Sequence, residues 1–318
     1  MSGPWAAPGG ALTTPGAGPV RAAADPPAGV AEPASSTGAL GSVPLRPLST
    51  GELLDSTFAT IRRNPRAILG LAAIVMTIQE LLFAGLEALT GNLSGPVFTV
   101  RGDDSTELGL TLTGVLRYPL GGWVGATLAG IVAVAIFEDV QGRRTSLLQL
   151  WRLTRRRIGA LLVCGFMVGV LPYPALVLVI VPGAALWGFW ALATPAMMVE
   201  SLGPFAALRR SWKLVGGDFF RVWGVRALSV LIGLLMQTIL VLPFALLATW
   251  IAAVRDTDLS DPGLLFLAIG VVGSIVAGSV VAPFKAGVEA LLYLDRRMRA
   301  EALDIVWQRQ AAVRGRGQ

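Results

Sequence analysis

Two carboxylates, Glu80 and Glu87, interrupt the first long apolar stretch of the sequence. Their i, i+7 spacing places both on one face of a helix. Because an acid inside a membrane is costly and usually faces a cavity or a partner, one interpretation is a proton or solute path. The other, which we favour, is structural: Glu87 reaches the membrane surface and Glu80 bonds to a neighbouring helix, for example through Gln237. A single buried acid with no histidine, facing acid or adjacent lysine makes a poor proton relay.

Residue types that catalysis and metal binding commonly need are scarce in this chain. The sequence has no histidine and a single cysteine, Cys164. This composition excludes histidine-based triads, histidine-ligated zinc or haem, and a disulfide within the chain. We also find no activated serine or paired aspartates suited to hydrolysis. The sequence therefore predicts no catalytic, cofactor-binding or metal-binding residues, and a protein that is not an enzyme.

The most informative stretch covers residues 200–220 and predicts a short, basic, amphipathic helix. Phe205, Leu208 and Trp212 fall on one face at helical spacing, while glycine and proline mark both ends. Such a helix would lie in the membrane interface, with its rings among lipid tails and its cations at lipid phosphates. The cations that flank the apolar face are Arg209, Arg210 and Lys213.

Two other stretches repeat this pattern. Residues 48–63 open with a capping box at Ser49 and Glu52, and residues 145–157 surround an apolar face with arginines. Each of the three modules precedes a pair of apolar spans, which predicts an internal repeat of interfacial helix plus helical hairpin. In the module over 145–157, the residues expected at lipid headgroups are Trp151, Arg155, Arg156 and Arg157.

The overall composition is typical of a polytopic α-helical membrane protein. Of 318 residues, 54% are hydrophobic and 14% are charged, and the mean hydropathy is +0.66. Apolar residues come in blocks separated by charged loops. Gly165-x-x-x-Gly169 predicts close contact between helices. The six predicted spans are residues 68–89, 120–137, 158–180, 181–199, 219–247 and 264–283.

The flanking segments complete the predicted all-α layout. Residues 1–47, rich in Pro, Gly and Ala, predict a disordered tail, followed by a membrane domain over 48–305 and a basic tail over 306–318. An amphipathic helix over 285–307 follows the last span. With both termini in the cytoplasm, the outside loops carry only the arginines Arg101, Arg117 and Arg255. We therefore predict a multi-pass protein of the bacterial cytoplasmic membrane.

Several charged residues are expected to form an ion-pair layer at the cytoplasmic boundary. An unpaired carboxylate at this low-dielectric boundary would lose solvation free energy on the order of several kcal/mol. Glu200 should therefore pair with Arg209, Arg210 or Arg226, and Asp295 with Arg143 or Arg144. Arg226, near the start of the fifth span, would otherwise extend to the membrane surface, pair with Glu138, or contribute to a transport site.

Three sequence blocks resemble a known bacterial family. They are LRPLSTGELLDSTFATIRRNPRAIL, PAMMVESLGPFAALRRSWKLVGGDFFRVWGV and LLYLDRRMRAEALD. With them, residues 48–304 resemble the YciC-like six-span membrane proteins, often labelled the membrane domain of glycerophosphoryl diester phosphodiesterase. The resemblance implies a six-span fold with a largely unassigned role. That label comes from members fused to a soluble catalytic barrel, for which this chain has no room, so the activity is not carried over.

These observations favour a non-catalytic membrane protein that acts as a scaffold or lipid-interacting accessory. Its expected partners are anionic lipid headgroups of the cytoplasmic leaflet and other membrane proteins, and not nucleic acid. The same basic helices would equally serve only to anchor and orient the spans. The alternative function is a transporter or channel for a small solute, using an intramembrane polar site around Glu80, Gln237 and Arg226.

Overall fold

The computed structural model describes residues 48–90, 112–140, 145–255 and 263–301. Within these ranges the chain is helical and contains no strand. Both predicted tails, 1–47 and 306–318, lie outside them. The helices are α1 (Thr50–Arg63), α2 (Pro65–Thr90), α3 (Leu112–Val140), α4 (Leu147–Thr154), α5 (Ile158–Gly169), α6 (Pro172–Leu178), α7 (Ile180–Phe189), α8 (Ala193–Val199), α9 (Pro204–Gly216), α10 (Phe219–Val254) and α11 (Gly263–Glu301), with a 3-10 turn at Arg155–Arg157 between α4 and α5.

Six segments of the described chain are long and apolar enough to cross a membrane. This agrees with the predicted all-α architecture and fits a multi-pass membrane protein. The repeat of interfacial helix plus hairpin stays a prediction. The six segments are Pro65–Leu86, Leu116–Val140, Leu147–Leu178, Ile180–Val199, Phe219–Val254 and Leu264–Ala300.

Several predicted spans were shorter than the helices that contain them, and α10 continues to Val254, beyond the predicted end of the fifth span at residue 247. The second span was expected to begin at Leu120, but α3 begins at Leu112 and contains Arg117, which had been assigned to an outside loop. The sixth span was expected to end at Pro283, but α11 continues through this proline to Glu301. Proline inside an apolar helix is tolerated where neighbouring helices and local backbone adjustments satisfy the freed carbonyl.

The third and fourth segments are each built from several short helices: the third contains α4, α5 and α6, and the fourth contains α7 and α8. Residues 170–171 separate α5 from α6, and residues 190–192 separate α7 from α8. The second break is bridged by α9: the Ser211 hydroxyl donates to the Phe189 carbonyl at 2.6 Å and accepts from the Leu192 N–H at 3.1 Å. Backbone groups freed by the break are thus satisfied by a side chain from another helix.

Close packing between α3 and α5 follows the predicted glycine pattern. A Cβ on Gly169 would lie 2.2 Å from the backbone nitrogen of Trp123, and one on Gly165 would lie 2.4 Å from the Thr127 hydroxyl oxygen. Such distances are far below van der Waals contact, so only glycine permits this approach. The predicted Gly165-x-x-x-Gly169 packing is confirmed.

One end of the bundle holds α1, α9, the α4–α5 turn and the last turns of α11. Arg63 at the end of α1 pairs with Asp139 at the end of α3, and Arg157 reaches the Leu202 carbonyl just before α9. The last turns of α11 were predicted to be an amphipathic helix, but they are buried on nearly all sides. Fully buried or nearly buried residues there are Val288, Ala290, Leu291, Leu292, Tyr293, Leu294, Asp295, Arg296 and Met298.

Candidate functional site

A fully buried carboxylate, Asp295 on α11, binds the backbone of Leu48, which directly precedes the N-cap of α1. Its Oδ1 accepts a hydrogen bond from the Leu48 N–H at 2.8 Å. Arg299 Nε donates to both carboxylate oxygens at 3.0 Å, and Arg221 lies 3.4 Å from Oδ2. Both arginines also donate to the Leu48 carbonyl. The two guanidinium groups and one carboxylate therefore bind both the backbone N–H and the carbonyl of a single residue, Leu48.

The predicted partners of Asp295, Arg143 and Arg144, lie outside the described residues. Its partners in the described chain are Arg221 on α10 and Arg299 on its own helix. Sequence reasoning missed this cluster because Arg221 and Asp295 are 74 residues apart in the sequence. The spacing of Asp295 and Arg299, four residues apart on one helix, was the available signal for half of it.

Glu200, at the end of α8, forms the second ion-pair cluster. Arg210 on α9 binds it through Nε and Nη2 at 2.9–3.0 Å, a two-pronged geometry. The Tyr293 hydroxyl donates to the same carboxylate at 2.8 Å, and Arg297 lies 3.6 Å away. Of the three expected partners, the structure selects Arg210.

Arg226 pairs with a residue that sequence reasoning missed. Its Nε lies 3.0 Å from the Glu289 carboxylate on α11, and both side chains are almost completely buried. The guanidinium also sits 4.3 Å from the centre of the Trp187 ring and donates to the Trp187 carbonyl. The expected partners Glu138 and Glu200 were therefore wrong. Glu289 was detectable only as an acid in an otherwise apolar stretch of α11.

A second buried arginine, Arg296, stabilises the end of α9. Its Nε and Nη2 donate to the Leu214 carbonyl at 3.1 and 3.0 Å, and Nη1 binds Asp218. A cation at the C-terminus of a helix complements the unsatisfied carbonyl groups and the helix dipole there. This interaction was also missed.

Glu80 lies away from these clusters and has its own partner. The Arg117 guanidinium on α3 approaches its carboxylate at 2.6 Å and lies 5.1 Å from the centre of the Phe83 ring. The suggested contact with Gln237 was wrong, because the partner of Glu80 in the described chain is Arg117. The side chain of Glu87 lies outside what the structure describes. Of the predicted polar site, Glu80 is on α2 and pairs with α3, whereas Gln237 and Arg226 are both on α10.

The α4 module differs from the clusters above because its cations are exposed. Arg152, Arg155 and Arg156 are exposed, and none of them forms an ion pair with any described residue. Trp151 and Leu148 are also largely exposed. On the inner side of α4, Leu150 and Thr154 are buried and fix the helix to the bundle. Arg157 turns inward, toward the Leu202 carbonyl.

The α9 module is mostly committed to packing, although several of its residues remain exposed. Arg210 forms an ion pair with Glu200, and the Ser211 hydroxyl bonds to the backbone at the α7–α8 break. The Trp212 ring stacks on Phe189 with ring centroids 4.0 Å apart. The residues of α9 that remain exposed are Phe205, Ala206, Arg209, Trp212, Lys213 and Gly216.

An apolar cavity of about 660 Å³, open on one side, lies between α2, α3, α4 and α5, and lining side chains such as Ile78 and Leu148 are largely exposed. Thr127 and Thr154 are the only lining residues that carry a hydroxyl, and the Thr127 hydroxyl already donates to the Trp123 carbonyl. Trp151 and Leu148 of α4 line the cavity at one side. The cavity therefore lies beside the α4 module.

The described residues contain no cluster of histidine, cysteine and carboxylate side chains suited to a metal ion. No family model, curated protein or solved structure matches this chain. The resemblance to YciC-like proteins therefore stays a prediction, and the functional argument rests on the geometry above.

Proposed function

We propose that this chain is a non-catalytic protein of the bacterial cytoplasmic membrane that binds anionic phospholipids and acts as a scaffold or lipid-interacting accessory. The observation that carries the proposal is the α4 module. Arg152, Arg155 and Arg156 are exposed without an ion-pair partner in the described chain, beside the exposed ring of Trp151. Cations next to an interfacial tryptophan are the usual anchor for lipid phosphates.

The buried charges elsewhere are committed to one another, which supports a structural role for them. Glu80 with Arg117, Glu200 with Arg210, and Arg226 with Glu289 each form an ion pair. A transport site would need polar groups facing a shared cavity that reaches both sides of the membrane. The large cavity between α2 and α5 is instead apolar. No observation on the described residues favours the transporter alternative.

Lipid composition around the purified protein tests this proposal. The full chain is extracted from bacterial membranes in polymer nanodiscs, and the ratio of anionic to zwitterionic lipid is measured by mass spectrometry. We expect enrichment of anionic lipid over the bulk membrane for the native sequence. The double variant Arg155→Gln/Arg156→Gln should lose most of that enrichment.

The matched control removes two exposed cations elsewhere, Arg62→Gln/Arg66→Gln. Both side chains are exposed at the α1–α2 junction, and neither lines the apolar cavity. This control should retain the enrichment. Equal loss in both double variants would show a response to net charge only, and no enrichment in the native protein would refute the proposal.

The proposal also assigns α4 to the cytoplasmic leaflet, with both termini in the cytoplasm. Thiol labelling of single-cysteine variants in intact cells tests this orientation, in a background where the buried Cys164 is replaced by alanine. Ser105→Cys and Ser260→Cys should react with an impermeant reagent from outside. Reaction of Ser49→Cys under the same conditions would refute the orientation.

A further inference from the structure

The apolar cavity has the length and lining of a site for a hydrocarbon chain. Its lining covers Leu71 to Ile78 on α2 and Trp123 to Ile131 on α3. At the helical rise, these stretches extend about 10–12 Å along the bundle, most of the depth of one leaflet. The volume of about 660 Å³ is in the usual range for small-molecule sites. A polar solute would leave its hydrogen bonds unmade there.

The α4–α5 side of this cavity includes a turn rich in arginine. Thr154 and Ile158 both line it, and the three residues between them are the arginines of the 3-10 turn. Arg155 and Arg156 are exposed and form no ion pair within the described ranges. An apolar site beside exposed guanidinium groups is complementary to a molecule with a hydrocarbon chain and an anionic head.

The walls of the cavity are held by contacts within the protein. Trp123 Nε1 donates to the Leu162 carbonyl at 2.9 Å, and the Trp123 ring packs edge-on against Phe166. The close approach at Gly169 fixes α5 against α3. A ligand entering such a site does not have to order its walls, so more of its contact free energy is available for binding.

We propose that this cavity holds one acyl chain of an anionic glycerophospholipid whose phosphate lies at Arg155 and Arg156. The inference rests on the proposed lipid-binding function and narrows it from a charged surface to a single site. It requires binding of one lipid per protein, with selectivity set by the arginines and retention set by the cavity.

Variants that fill the cavity test the acyl-chain half of the inference. Ile74→Trp and Val124→Phe place bulk at two lining positions on different helices. Leu82→Trp is the matched control, since Leu82 is an exposed residue on the same helix as Ile74 and does not line the cavity. Two filling variants are used so that a folding defect in one does not decide the result, and thermal unfolding in detergent checks each.

The measurement is native mass spectrometry of delipidated, detergent-solubilised full-length protein titrated with dioleoyl phosphatidylglycerol or dioleoyl phosphatidylcholine. We expect a single phosphatidylglycerol adduct on the native protein and on Leu82→Trp. Loss of contact for only two methylenes corresponds to about tenfold in affinity, so both filling variants should bind at least about tenfold more weakly. Phosphatidylcholine should bind the native protein more weakly than phosphatidylglycerol.

The other outcomes separate this inference from the proposed function. If the filling variants bind like the native protein while Arg155→Gln/Arg156→Gln binds more weakly, the cavity site is refuted and surface binding stands. If the arginine variant binds phosphatidylglycerol like the native protein, both are refuted. Equal affinity for the two lipids, or adducts that rise in number without saturating at one, also overturns the inference.

Discussion

The modules around α4 and α9 share a sequence pattern but have different structural roles. On α9, Arg210 binds Glu200 and Ser211 bridges the break between α7 and α8. On α4, Arg152 and Arg155 are exposed and form no ion pair with the described residues. A basic amphipathic helix can thus lock a helical bundle or leave its cations for an external anion. The difference depends on whether a helix packed against the amphipathic helix carries an acid. The sequence pattern of the amphipathic helix does not show whether such an acid is present.

The largest expected loss of stability is at a buried ion-pair cluster, where every charge has a partner. Asp295→Asn removes the charge between Arg221 and Arg299 and leaves two cations facing each other around the Leu48 peptide. Breaking a buried pair typically costs about 3–5 kcal/mol, and the partial exposure of both arginines favours the lower value, about 3 kcal/mol. Thermal unfolding in detergent should show a clearly lower midpoint.

The control for this variant is Arg152→Gln on α4. An exposed residue without structural partners should change stability by no more than about 0.5 kcal/mol. Similar losses in the two variants would mean that α4 is locked to the bundle as firmly as the Asp295 cluster, and the contrast between the modules would fail.

The next effect is expected at Glu200. Glu200→Gln keeps an acceptor for the Tyr293 hydroxyl but removes the charge that binds Arg210. We expect a loss of about 2 kcal/mol, between a neutral hydrogen bond and a fully buried ion pair. A double-mutant cycle with Arg210→Gln should give a coupling of at least about 0.5 kcal/mol. Additive losses would show that the observed geometry contributes little.

A smaller effect is expected at Ser211, whose hydroxyl connects α9 to the backbone at the α7–α8 break. Ser211→Ala leaves the Leu192 N–H and the Phe189 carbonyl without this partner, at a cost of about 1–2 kcal/mol. Ser279→Ala is the control, because the Ser279 hydroxyl bonds only the Ile275 carbonyl of its own helix. An equally small change in both would show that the break does not depend on α9.

Much of the fold could be predicted because hydropathy and length decide it locally. The six apolar segments and the Gly165–Gly169 packing followed from such patterns. The start of α3 could not be predicted, because an arginine inside a membrane-spanning helix needs a partner. The partner of Arg117 is Glu80, which lies on another helix. Partner choice depends on the packing of distant segments, as between Leu48 and Asp295. The last turns of α11 were misjudged for the same reason, since their charges have buried partners.

The smallest expected effect on stability is at Arg155. The same arginine-to-glutamine change can be made at Arg155 on α4 and at Arg210 on α9, so the two modules can be compared directly. Arg210→Gln leaves Glu200 partly buried with one partner fewer, whereas Arg155→Gln removes no ion pair seen in the described chain. In lipid-free detergent, Arg155→Gln should therefore stay within about 0.5 kcal/mol of the native protein, while Arg210→Gln should not.

Addition of phosphatidylglycerol should stabilise the two variants by different amounts. A ligand at 100 times its dissociation constant stabilises a folded protein by about 2.7 kcal/mol, and tenfold weaker binding removes about 1.4 kcal/mol of that gain. The native protein and Arg210→Gln should thus gain the same increment on lipid addition, since Arg210 faces Glu200 and not lipid. Arg155→Gln should gain less. Thermal unfolding with and without lipid measures both increments, and an equal gain in Arg155→Gln and the native protein would mean that the exposed cations of α4 do not hold a lipid phosphate.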